Sequence, residues 1–111
     1  MSVPRFIQKV AGRIRERTDP DLIVLFGSYA KGEANIRSDV DLLILGRFPS
    51  QGRREDELTG IAYGFPVGFD FHCVTEKEIA RDLRDPGTFY HSVFSAGIVL
   101  FCKSGLTFPI N

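Results

Sequence analysis

Five apolar residues in a row, Leu22-Ile23-Val24-Leu25-Phe26, stand between Asp21 and Gly27 and limit the folding options more than any other feature. The run is too short for a buried helix, partly β-branched, and lacks the alternation of a half-solvated strand. It therefore predicts a strand covered on both faces. Residues 39–45, 66–74 and 97–102 read as further apolar strands. Phe6, Ile7, Val10 and Ile14 recur at helical spacing, predicting a helix over 6–17 that Thr18-Asp19-Pro20-Asp21 breaks. One or two helical turns are expected after Gly27-Ser28, and a short polar helix over 53–62 with Leu58, Ile61 and Ala62 facing inward. Thr75 followed by Glu78 has the form of a capping box, opening a helix that Asp85-Pro86-Gly87 ends; another short helix covers 88–95.

Helices alternating with strands in 111 residues imply one sheet with helices packed on it, an α/β or α+β domain spanning 1–111. Strand order stays open, and the tail 103–111 is expected to be peripheral. The charge balance narrows function. Fourteen basic residues against fourteen acidic ones give zero net charge, which disfavours nucleic-acid binding as the main task. No stretch reaches the ~20 apolar residues of a bilayer span, and the N-terminus has no signal-peptide pattern. A cytoplasmic protein is expected, with Cys73 and Cys102 as reduced core thiols and ten phenylalanines supplying most of the bulky core.

The chemistry is concentrated in the acids. On a strand, residues two apart share a face, so Asp39 and Asp41 set two carboxylates side by side while Val40, Leu42 and Ile44 pack behind. Such a pair repels unless a cation lies between, and hard Mg²⁺ suits carboxylate oxygens while leaving room for phosphates. A solvated rim is the plainer reading of the pair alone. Asp70 adds weight, because a lone carboxylate within Val67-Gly68-Phe69-Asp70-Phe71 needs a partner if buried; the alternative is an edge position facing water. His72 follows two residues later on the same face and is a weaker candidate for the site. His91 has no evident constellation.

Gly27-Ser28 supplies the other half. Glycine permits a sharp turn after a strand, and Ser28 can cap the next helix, whose first amides attract phosphate. Lys31 is placed to approach a phosphate from the loop. A phosphate cradle next to paired metal-binding acids suits nucleotidyl or phosphoryl transfer. Arg53-Arg54 reads as a surface pair with a minor prospect of touching nucleotide.

Gly27-Ser28, ten residues, then Asp39-Val40-Asp41 resembles the G-S-x10-D-x-D signature of the DNA polymerase beta-like nucleotidyltransferases, and the flanking residues resemble its minimal (MNT) branch. The resemblance implies a small mixed β-sheet with helices mainly on one face. It implies Mg²⁺, as two ions, on Asp39, Asp41 and Asp70, with Asp70 also able to serve as base, and ATP held at Gly27 and Ser28. It also implies a setting: the antitoxin of a type VII-like toxin–antitoxin pair, partnered by a HEPN-domain RNase toxin and transferring AMP to a tyrosine hydroxyl of that toxin. Two other readings stand beside it. One is an antitoxin acting by binding alone; the other is a small-molecule (aminoglycoside-type) transferase, which the short chain disfavours. The small size leaves the acceptor site to a partner or a second copy, and the stretch Phe89-Tyr90-His91-Ser92-Val93-Phe94 is a candidate docking face if it is not ordinary core.

Overall fold

The structure, a computed structural model, describes residues 3–49 and 54–105. Helix α1 (Arg5–Thr18) buries Ile7, Val10, Ala11 and Ile14 along one stripe. It stops where Asp19 turns into the left-handed conformation, φ 47°, with its N–H donated to the Arg15 carbonyl. Strand β1 (Leu22–Phe26) follows, then the single helical turn α2 (Ser28–Lys31) and strand β2 (Val40–Leu45). A 3-10 helix, Arg54–Leu58, leads to strand β3 (Phe69–Val74). Helix α3 (Glu76–Ile79), a short 3-10 turn (Asp82–Arg84), helix α4 (Phe89–Ala96) and strand β4 (Ile98–Cys102) complete the order.

The four strands form one sheet in the order β3-β2-β1-β4. β1 pairs antiparallel with β2 and β4, and β2 pairs parallel with β3, so the sheet is mixed as expected. Its faces carry two separate cores. Ile23, Leu25, Val40, Leu42 and Ile44 pack under α1 and the segment holding Leu58 and Ile61. Leu22, Val24, Leu43, Leu45 and Val74 pack under Ile79, Leu83 and Val93 of the later helices. Helices thus cover both faces, rather than mainly one. The unbroken apolar run of β1 requires it, because each face of that strand presents aliphatic side chains that water must not reach.

Three local expectations need correction. The large, fully buried side chains are isoleucine, leucine and valine, and none of the described phenylalanines is among the buried core residues. Their rings sit partly buried around the rim, where Phe6, Phe65, Phe69 and Phe71 pack against the α1-side core; branched aliphatics fill the narrow space between helix and sheet better than flat rings. Cys73 is buried, and burial pushes its thiol up to about 12, whereas Cys102 is exposed. The expected polar helix over 53–62 is a 3-10 turn followed by loops, with Leu58 and Ile61 buried and Ala62 only half so; Arg53 lies outside the described residues. α1 secures this irregular stretch by donating from Arg13 to the Ile61 carbonyl (2.7 Å) and from Arg17 to that of Thr59 (2.8 Å). In the expected tail, Lys103 is tied by its N–H to the Asp21 carbonyl (2.8 Å), and 106–111 lie outside the described residues.

The capping box at α3 is present: Thr75 Oγ1 accepts from the Glu78 N–H and Glu78 accepts from the Thr75 N–H. Arg54 donates to both carboxylate oxygens of Glu78, at 2.6 and 3.0 Å. The guanidinium first, and the Thr75 N–H second, hold the Glu78 carboxyl down to about 2. A lowered folded-state value stabilises the protein above the ordinary 4.5, and that contribution is lost as pH falls towards about 2. Because Glu78 is partly solvated, Glu78→Ala is expected to cost on the order of 1 kcal/mol at pH 7 and little near pH 2, read from urea melts across that range.

Candidate active site

Strand register assembles the site. β1 ends at Phe26 opposite Asp41, and the parallel pairing of β2 with β3 sets Asp41 opposite Asp70. Both carboxylates leave the sheet on the face that carries Val24, Leu43 and Val74, the face against which α4 packs. One oxygen each from Asp41 and Asp70 and one ring nitrogen of His72 lie within 4.8 Å of one another. The His72 Nε2 stands 3.2 Å from Asp70 Oδ2. Its ring meets Phe26 edge-on with centroids 5.1 Å apart, and Phe89, 6.0 Å from the imidazole and 5.7 Å from Phe26, closes a triangle of rings.

Asp39 stands slightly apart. It lies opposite Gly68, one step before the ladder begins, and its Oδ1 is only 2.5 Å from where a Cβ on Gly68 would stand. Glycine there lets the carboxylate lie against the backbone. It still bears on its neighbour: burial first, then the charge of Asp70, with a smaller push from Asp39, hold the Asp41 carboxyl above its ordinary value of 3.8, while His72 pulls the other way.

Asp70 is not the buried charge that its apolar neighbours suggest. β3 is an edge strand and the Asp70 side chain is 60% exposed, so the alternative of an edge position facing water describes its solvation. Its claim to the site rests on proximity to Asp41 instead. Among the described residues no buried polar side chain lacks a hydrogen-bond partner.

The bend after β1 touches the same acids. Gly27 has φ 73° and ψ −154°, a region that is nearly closed to residues with a Cβ, and a Cβ there would run into the Asp41 carboxylate. Gly27 itself is the N-cap of α2; Ser28 is already helical and its side chain makes no capping hydrogen bond. With only four residues, α2 has little dipole to offer, so what the bend provides is open backbone rather than a helix-end field. Lys31 is exposed and lines a groove of about 460 Å³ with Phe26, Gly27, Ala30, Phe89 and Ser92.

The structure therefore brings Gly27, Asp41, Asp70 and His72 together, with Asp39, Ser28 and Lys31 on the margin. Phe89, 52% exposed on the groove rim, escaped the sequence reading as a site residue, because nothing local distinguishes it from a core aromatic. Arg54 lies at the far end of the strands, beside a larger cleft of about 780 Å³ near Gly46 and Thr75, away from the acids.

The donor set fits a divalent cation: a carboxylate whose proton affinity is raised by burial and by its acidic neighbours is relieved by positive charge beside it. None of the described helices is long and apolar enough to cross a membrane. The family described as "Nucleotidyltransferase domain" matches residues 7–88, a span that holds every residue of the site except Phe89 and Ser92 on the groove's far wall. A solved structure of a candidate nucleotidyltransferase from Sulfolobus solfataricus superposes with TM-score 0.62 at 14% identity, covering 96% of this chain and 86% of that one. A chain from a toxin–antitoxin complex with AMP-PNP does so with TM-score 0.62 at 21% identity, covering 86% of this chain and 73% of that one. At these identities the two structures speak to the fold. No curated protein matches the sequence.

Two outcomes follow from the geometry. Gly27→Ala is expected to cost roughly 1–3 kcal/mol and to weaken divalent-cation binding by displacing Asp41, measured by thermal melts and calorimetric titration. Asp41→Asn is expected to stabilise the metal-free protein at pH 7. A raised acid value means that the folded state binds protons more tightly, so native stability falls as pH rises from 3.8 through the folded-state value, and the amide removes that loss. Melts in a chelator from pH 3.5 to 8 should show the two curves separating as pH increases.

Proposed function

The chain belongs to the nucleotidyltransferase domain family, and on that footing we propose that it transfers AMP from ATP to a tyrosine hydroxyl of a toxin partner. One observation carries the reading: Asp41 and Asp70 converge beside the Gly27 bend, and that bend also lines the adjoining groove. The resemblance of its Gly-Ser and Asp-x-Asp motifs to the MNT branch supports the choice of a HEPN-type RNase as acceptor. The likeness to a chain of a toxin–antitoxin complex supports a toxin partner.

In this reading Asp39, Asp41 and Asp70 hold the metal and Gly27, Ser28 and Lys31 receive the triphosphate. A divalent cation bound there offsets the phosphate charge and orients the attacking oxygen. The residues' own tasks are separable. The glycine backbone admits the phosphates closely because no Cβ intervenes. Lys31 lends positive charge along the groove. Asp70, exposed and hydrogen-bonded to His72, accepts the tyrosine proton at a carboxylate oxygen. The tyrosine oxygen forms a bond to the α-phosphorus, the bond from that phosphorus to the bridging oxygen breaks, and pyrophosphate leaves.

The test is to incubate the protein with ATP, a divalent cation and the protein encoded next to it, then weigh the partner intact. One or more added AMP groups, reduced at least about 100-fold in rate by Asp41→Asn or Asp70→Asn, supports transfer. A partner that is neutralised without any mass gain, equally well by both variants, means that the protein works by binding alone.

A further inference from the structure

We propose that His72 is a metal ligand of this site and that its nitrogen gives the site a preference for Mn²⁺ over Mg²⁺. The proposal rests on the nucleotidyltransferase reading above and adds a ligand that the Asp-x-Asp pattern does not contain.

The first ground is distance. Ligands about 2.0–2.2 Å from one ion lie about 3 Å apart when adjacent and just over 4 Å apart when opposite. His72 Nε2 and Asp70 Oδ2, at 3.2 Å, already have the spacing of adjacent ligands. The Asp41 oxygen completes a group no wider than 4.8 Å, close to the span of opposite ligands round one ion. Asp39, leaning over Gly68, stands outside this compact trio.

The second ground is the aim of the ring. His72 shares a face with Asp70 because the two are separated by one residue on β3. Phe26 and Phe89, themselves in contact, pack together against the imidazole, and its Nε2 is directed to Asp70 Oδ2. The side chain is 33% exposed, which leaves the nitrogen reachable by an ion from solvent.

The third ground is ligand chemistry. Mg²⁺ binds oxygen almost exclusively and keeps its waters. Imidazole suits the transition metals, and Mn²⁺ accepts both carboxylate and imidazole while preserving octahedral coordination. Two carboxylates and one imidazole therefore shift selectivity away from magnesium. In the metal-free protein the same nitrogen is occupied by its hydrogen bond with Asp70, which keeps the ring in place for the ion.

Pulsed EPR of the protein carrying one equivalent of Mn²⁺ reads the bond directly, as a ¹⁴N coupling from a bound imidazole. The coupling is expected in the wild type and absent from His72→Phe and His72→Gln, two variants of different polarity in case one folds poorly. In competition titrations Mg²⁺ should displace Mn²⁺ only at about ten-fold or greater excess from the wild type, and both variants should lose most of that margin. Tight Mn²⁺ binding without ¹⁴N coupling overturns the assignment and leaves His72 as a hydrogen-bond partner of Asp70. An unchanged Mn²⁺ margin in both variants overturns it as well. Failure to bind either ion, or binding indifferent to Asp41→Asn, removes the metal site itself and with it the nucleotidyltransferase reading.

Discussion

The parallel ladder between β2 and β3 places Asp41 next to Asp70, and that register is the constraint on which the site depends. A shift of one residue would turn Asp70 and His72 to the α1 face and bring Phe69 and Phe71 into their place. The aliphatic side chains hold the register. Val40, Leu42 and Ile44 are needed under α1, and Leu43 and Leu45 under the later helices, so β2 cannot slip without exposing one set and burying an acid. The hydrophobic cores thus fix the position of two charges that repel each other.

The sheet face that bears those charges is divided along its length. Towards the far end, Leu43, Leu45 and Val74 are sealed by Ile79, Leu83 and Val93. Towards the near end, a groove runs between α2 and α4, bordered by Phe26, Gly27 and Phe89. Solvent at that end reaches the Asp70 side chain on the edge strand, and partial burial is what raises the proton affinity of Asp41. The far end is held differently. There Arg54 closes on Glu78 across the connection between β2 and β3, with the capping box of α3 attached to the same carboxylate. One end of the molecule pairs its charges internally, and the other gathers Asp39, Asp41 and Asp70.

Aromatic residues follow the same division of labour. In the cores the branched aliphatics interlock, and the phenylalanine rings gather at the rim. At the groove this brings three rings, Phe26, His72 and Phe89, into mutual contact, Phe26 edge-on to both of the others. Such contacts add to the hydrogen bond with Asp70 in holding the imidazole in place.

By itself the sequence determined most of the elements and the strands on which the acids lie. The unbroken run of β1 declares a strand covered on both sides; the spacing of Ile7, Val10 and Ile14 declares α1; Thr75 and Glu78 declare the start of α3. Asp39 and Asp41 were legible as a pair, and Asp70 and His72 as sharing a face, because alternation along a strand is a local property. Only the tertiary structure decided which strands are neighbours, that Asp70 lies on an exposed edge, that Asp41 and not Asp39 meets it, and that Phe89 borders the groove. The reason is physical: a strand's own residues set which side each side chain takes, but pairing partners are chosen by the burial of surface between segments far apart in the chain, and no single segment carries that information.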